Sequence, residues 1–160
     1  MNDDEKVKRY LEVSASLKSI LASTSNEISR MATINCLLSE AFPYYFWTGF
    51  YLVDDAQPNN LLVGPYQGTM GCLHIPFGKG VCGTVAQTGV SMIVDDVLAL
   101  ENHIACDSLS RSEVVVPVWR SVGELIGVFD VDSTETSSFN EVDKENLEAI
   151  MADMFFDPAN

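Results

Sequence analysis

The stretch Gly71-Cys72-Leu73-His74-Ile75-Pro76-Phe77-Gly78-Lys79-Gly80-Val81-Cys82-Gly83-Thr84 constrains the fold more than any other part of the chain. It joins two thiols, a turn and the start of a helix. Apolar alternation through Leu73 and Ile75 reads as the end of a strand. Pro76, Gly78 and Gly80 break that strand, and glycine's tolerance of positive φ lets the chain turn sharply. Val81 to Gln87 follows with helical spacing, Val81, Val85 and Ala86 falling on one face. Cys82 is therefore expected in the first turn of a short helix, where the macrodipole favours a thiolate. Cys72 is expected at the end of the preceding strand. Free cysteine is also a common small core residue, so these two thiols alone leave chemistry and packing both open. A third, in His103-Ile104-Ala105-Cys106-Asp107, shifts the balance toward chemistry.

A length of 160 residues fits one domain and buries enough surface to need no disulfide staples. An apolar content of 47% is that of a globular chain. The net charge of -14 argues against nucleic acid, which demands a basic face, and against anionic membrane surfaces. It leaves room for a cationic or zwitterionic ligand beside carboxylates. The acidic start Met1-Asn2-Asp3-Asp4-Glu5 carries no apolar segment of a secretory signal, and no apolar run is long enough to span a bilayer. A cytoplasmic location is expected, with the four cysteines reduced and any disulfide catalytic or redox-sensing.

Read in order, Asp3 to Ser25 has the apolar spacing of an amphipathic helix through Val7, Tyr10, Leu11, Val13, Leu17, Ile20 and Leu21. Asn26 is placed to cap a second helix reaching about Ala41, with Ile28, Met31, Ala32, Ile34, Leu37 and Leu38 expected inward and Cys36 as filler. Tyr45 to Val53, Leu61 to Tyr66 and a third segment ending at Cys72 read as three strands of an antiparallel meander. Ser91 to Val94 is a short strand, and 97–112 an irregular connection carrying Cys106. Glu113 to Arg120 and Leu125 to Val131 form a hairpin about Ser121-Val122-Gly123-Glu124. Asn140 caps a last helix to about Phe155. Helices segregated from an antiparallel sheet make the chain α+β, with N-terminal and C-terminal helices packed on one side of a central sheet.

That order resembles a GAF domain, here a single one over 1–160 with its core at about 26–155. The local wording is narrower. Trp47-Thr48-Gly49-Phe50-Tyr51-Leu52, Gly64-Pro65-Tyr66-Gln67-Gly68, Ile75-Pro76 with Gly78 to Thr84, His103 to Asp107, Ser112-Glu113 and Asp130-Val131-Asp132-Ser133 resemble the free methionine-(R)-sulfoxide reductases of that family. The resemblance implies reduction of free L-methionine-(R)-S-oxide to L-methionine, with thioredoxin restoring the enzyme and no cofactor or metal. It also implies a cytosolic and often dimeric protein. The other class open to the same fold is a non-catalytic GAF module sensing a small molecule or an oxidant.

Thiol reduction of a sulfoxide needs a thiolate, a proton donor for the sulfoxide oxygen, a neighbouring thiol to resolve the sulfenic acid, and groups that fix the substrate. By similarity Cys106 matches the attacking cysteine, Cys72 its resolving partner, and Cys82 a further cysteine of the family. The helix-start position of Cys82 would also suit a nucleophile, so the roles of Cys82 and Cys106 stay open. Asp130 and Asp132 are two apart on a strand and share a face; Glu113 begins the hairpin partner. Three carboxylates together raise at least one pKa, keeping a proton for the sulfoxide oxygen while another binds the substrate ammonium. Trp47 and Tyr51 share a strand face, and the resemblance places them around the methyl-sulfoxide group. His74 and His103 near the thiols match no common zinc spacing, so no metal is expected.

Overall fold

The computed structural model describes every residue except Ala105, which falls in the middle of the His103–Asp107 motif. Its elements run α1 (Asp3–Leu21), α2 (Glu27–Ala41), β1 (Trp47–Asp54), β2 (Gln57–Gln67), β3 (His74–Pro76), α3 (Gly80–Thr88), β4 (Met92–Val94), β5 (Ser112–Ser121), β6 (Glu124–Ser133) and α4 (Glu141–Phe155). A single 3-10 turn, Val97–Ala99, interrupts the long connection before β5. The six strands form one antiparallel sheet in the order β3-β2-β1-β6-β5-β4.

Strand alternation divides the sheet into two faces with different tasks. Phe50, Val114, Val116, Phe129 and Val131 point to one side, where α2 and α4 cover them and α1 packs outside on those two helices, all within the larger core. Trp47, Tyr51, Val115 and Val128 point to the other, where α3 and the irregular connections cover them. The expected helices on one side are therefore present, and the chemistry lies opposite them. Buried positions on α1 follow Lys6, Tyr10, Val13, Leu17 and Leu21, a single helical stripe. Val7, Leu11 and Ile20, expected inward, lie off that stripe and are exposed; so is Ile28 on α2. α1 packs on α2 and α4 through one seam, and a helix buried along a single seam has no room inside for a second row.

Capping fixes the helix starts. Asn2 and Asn140 each complete a capping box, and the Asn26 side chain accepts from the Ser29 amide. The second of these boxes is also a tertiary joint. Asp143, fully buried, accepts hydrogen bonds from Tyr10 Oη at 2.8 Å, Tyr44 Oη at 2.7 Å, the Asn140 amide at 2.9 Å and Lys6 Nζ at 2.5 Å. One carboxylate thus ties α1, α4 and the entry to β1. Removing it leaves the buried Lys6 ammonium without its counter-ion and takes an acceptor from the Tyr10 and Tyr44 hydroxyls. Asp143→Ala is expected to cost about 3–5 kcal/mol, and so to lower Tm by roughly 10 °C. Thermal unfolding followed by circular dichroism checks this; a shift under about 3 °C would show that the network carries little of the stability.

Candidate active site

The register of the central strands gathers the acids. Glu113 lies opposite Asp132, and Val115 opposite Asp130, on β5 and β6. Trp47 lies opposite Asp132, and Gly49 opposite Asp130, on β1 and β6. Directly opposed residues project to the same face, so Trp47, Tyr51, Glu113, Asp130 and Asp132 share one wall. Gly49 sits between the two aromatic residues on that wall. A Cβ there would lie 2.7 Å from Cη2 of Trp47 and 2.3 Å from Cβ of Tyr66. The missing side chain lets the Trp47 indole lie flat between Tyr66 and Tyr51, with ring centroids at 5.1 and 5.5 Å and interplanar angles near 20°.

This wall bounds a cavity with about 40 Å³ of free space, roughly that of three waters. Cys82 on α3, Met70 and Gly71 from the connection before β3, and His103, Ile104, Cys106, Asp107 and Ser110 from the connection before β5 close it. Ile104 and Cys106 enter the small core beside it. Side chains pin these connections. Asn102 donates to the Gly78 carbonyl and accepts from the Gly80 amide. The Trp47 indole donates to the Thr69 carbonyl at 2.9 Å, and the Thr69 hydroxyl donates to the Asp107 carboxylate. Beside that contact Cys72 and Cys106 are joined by a disulfide, their Cα atoms 5.1 Å apart and 34 residues separated in sequence. Two connections from distant parts of the chain are thus bonded at the cavity.

Cys72 departs from its expected place. It precedes β3 instead of ending a strand, in the connection that runs from β2. The expectation of a thiolate at Cys82 is overturned. Cys82 is in the first turn of α3, as the glycine pattern implies, but the side chain is buried. Burial pushes its thiol well above the ordinary value, and the charges of Asp130, Glu113 and Asp132 push it further. Its Sγ donates to Glu113 Oε1 at 3.9 Å. Burial, with the nearby carboxyl groups adding to it, outweighs a short helix's dipole. Cys36, the remaining thiol, is exposed on α2.

The carboxyl groups perturb each other. Burial pushes Glu113 up to about 7. Asp130 is pushed well up by burial, then by the charges of Asp132 and Glu113. Asp132 is pushed up by burial and by Glu113, against a hydrogen bond from Ser110. Glu113 and Asp130 are buried and Asp132 is half-buried beside them; acids this close cannot all ionise, so the cavity holds protons near neutral pH. Among the described residues Asp130 Oδ1 is enclosed and has no hydrogen-bond partner. His103 is held toward its neutral form by partial burial. His74 stands exposed on β3, apart from the cavity lining.

Every residue singled out from the sequence for the site, namely Trp47, Tyr51, Cys72, Cys82, Cys106, Glu113, Asp130 and Asp132, lies in the cavity wall or in the disulfide that closes it. Sequence reasoning missed Ser110, Asp107 and Thr69. They sit in aperiodic connections, where spacing carries no signal.

The GAF domain family profile matches residues 40–155. The chain is 41% identical over 146 residues to GAF domain-containing protein A of Dictyostelium discoideum, covering 91% of this chain and 90% of that protein. It is 34% identical over 149 residues to the free methionine-R-sulfoxide reductase of Escherichia coli, covering 93% and 88% respectively. The crystal structure of free methionine-R-sulfoxide reductase from Neisseria meningitidis in complex with its substrate superimposes with a TM-score of 0.88 at 42% identity, covering 93% of this chain and 87% of that one.

Proposed function

The chain belongs to the free methionine-R-sulfoxide reductases of the GAF domain family, and from that premise we propose that it reduces free L-methionine-(R)-S-oxide by a thiol cycle of Cys106 and Cys72. On this reading the whole 160-residue chain is one such domain. The observation that carries the cycle is the Cys72–Cys106 bond across a cavity walled by Trp47, Tyr51 and three acids.

The Cys106 thiolate attacks the substrate sulfur while a buried carboxyl protonates the sulfoxide oxygen. The oxygen passes to Cys106 as a sulfenic acid and L-methionine leaves; the substrate sulfur gains two electrons and the Cys106 sulfur loses two. The Cys72 thiol then condenses with the sulfenic acid, giving the disulfide and one water. A dithiol reductant of the thioredoxin type exchanges with that disulfide and restores both thiols. Glu113 is assigned as proton donor, because its pKa of about 7 suits general acid catalysis at neutral pH. Asp130 and Asp132 receive the substrate ammonium, whose positive charge replaces the protons that their burial retains. The Trp47–Tyr51 stack takes the apolar methyl-sulfide end.

The test couples reduced thioredoxin and its reductase to NADPH oxidation, with free (R)-sulfoxide, free (S)-sulfoxide and a peptide sulfoxide as substrates. Turnover with the first alone is expected. Cys72→Ser is expected to release one equivalent of methionine per enzyme and then stall, because its sulfenic acid has no partner. Sustained turnover by that variant would remove Cys72 from the cycle. No turnover of any sulfoxide by protein with free thiols would favour a sensor module instead.

A further inference from the structure

We propose that Cys82, Glu113 and Asp130 form a binding site for a divalent cation of the zinc class. Each offers one donor atom, and the three donors lie within 4.8 Å of one another with all three residues buried. Asp130 contributes the second observation. It is 5% exposed, lines the cavity, and its Oδ1 is enclosed with no hydrogen-bond partner among the described residues. A buried carboxyl oxygen left without a partner is costly unless something fills the place.

The donor set selects the ion. One sulfur and two carboxylate oxygens suit a borderline-soft divalent cation, whereas magnesium and calcium take oxygen alone. In a tetrahedral shell with bonds of about 2.0–2.3 Å, donors stand about 3.5 Å apart, so side-chain movements of about 1 Å bring these three onto one ion. Space for the fourth ligand, a water, exists: the cavity leaves about 40 Å³ free with the Cys72–Cys106 disulfide closed. That volume accepts a small hydrated cation. On binding, the Cys82 sulfur gives its proton to solvent as the metal–sulfur bond forms. The cation's charge also offsets the mutual repulsion of Glu113, Asp130 and Asp132.

Two of the ligands are the groups assigned above to proton donation and to the ammonium. Occupancy therefore inhibits the reductase reversibly; this consequence, unlike the binding itself, rests on that assignment. The inhibitory site differs from any built on His74 or on the redox pair, since His74 is on β3 away from the cavity and Cys72 and Cys106 are consumed in their disulfide.

Binding is tested on the oxidised protein, so that neither Cys72 nor Cys106 is a free thiol. A Cys36→Ser background removes the exposed thiol of α2. Cobalt(II) is the probe, because a cobalt–thiolate bond gives a near-ultraviolet charge-transfer band. The expected result is a band that saturates at one equivalent and is abolished by stoichiometric zinc. Adding Cys82→Ser, which keeps the size of the side chain, abolishes the band. Asp130→Asn weakens cobalt binding by at least about tenfold. His103→Ala, in the same cavity but outside the trio, leaves the band in place. No saturating band in the Cys36→Ser protein, or a band that survives Cys82→Ser, overturns the site. So does loss of the band in His103→Ala alone. Each variant is first matched to its parent by circular dichroism. Because no sulfoxide enters this experiment, a negative result leaves the reductase reading standing, and a failed turnover assay leaves the metal site standing.

Discussion

Cys106→Ser releases no L-methionine, even in a single turnover with stoichiometric substrate, and its kcat/KM falls by about 10³-fold or more. A serine hydroxyl is neither a thiolate at neutral pH nor able to accept the sulfoxide oxygen. Cys82→Ser, by contrast, stays within about tenfold of wild type, because that thiol is held protonated by burial among three acids and is a poor nucleophile where it stands. Rapid quench with chromatographic detection of methionine separates the two. The reverse outcome, first-turnover product from Cys106→Ser and none from Cys82→Ser, would exchange their roles. The contrast rests on place. Cys106 lies in an aperiodic connection at the edge of the cavity, free to be approached once the disulfide opens, while Cys82 is locked in α3.

Why the surroundings of Cys82 were hidden from the sequence is a matter of distance in the chain. The glycine breaks at Gly78 and Gly80 place Cys82 at a helix start, and that local inference is correct. What raises its pKa, burial first and neighbouring acids second, is not local. Glu113 and Asp130 are 31 and 48 positions further on, and they reach Cys82 only because β5 and β6 pair in the register Glu113–Asp132 and Val115–Asp130. The same holds for the Cys72–Cys106 pair, whose 34-residue separation no spacing rule spans. Features governed by short-range geometry were readable: the shared face of Asp130 and Asp132, the shared face of Trp47 and Tyr51, the caps at Asn26 and Asn140. The resemblance brought the distant groups into one expected site. The thiol expectation failed where a helix-dipole argument met buried charge. Inward-facing residues on α1 were over-assigned because periodicity finds an apolar stripe but not its width; Lys6, charged and buried against Asp143, was invisible to it.

Glu113→Gln carries the other large effect, and it runs in opposite directions for activity and stability. As proton donor Glu113 works in its protonated form, so kcat/KM of the wild-type enzyme declines as pH rises through about 7. Gln cannot release a proton to the sulfoxide oxygen. The variant is expected to lose about 10²–10⁴ in kcat/KM and to lack the decline near pH 7. Stability moves the other way. The ordinary carboxyl value of 4.5 is raised to about 7 in the folded protein. Between those values the native state holds a proton that the unfolded chain has released. Stability therefore falls as pH climbs from about 4.5 to 7, and the full cost persists above 7. That cost is at most about 3 kcal/mol, shared with Asp130 and Asp132, whose titrations are linked to it. Glu113→Gln removes the ionisation and keeps an acceptor oxygen for the Cys82 thiol. At pH 8 it should melt higher than wild type, and at pH 4.5 the two should converge. Activity profiles and thermal melts across pH 4.5–8.5 check both halves. A variant that lost activity and stability together at pH 8 would make Glu113 a structural residue and move the proton to one of the two aspartates.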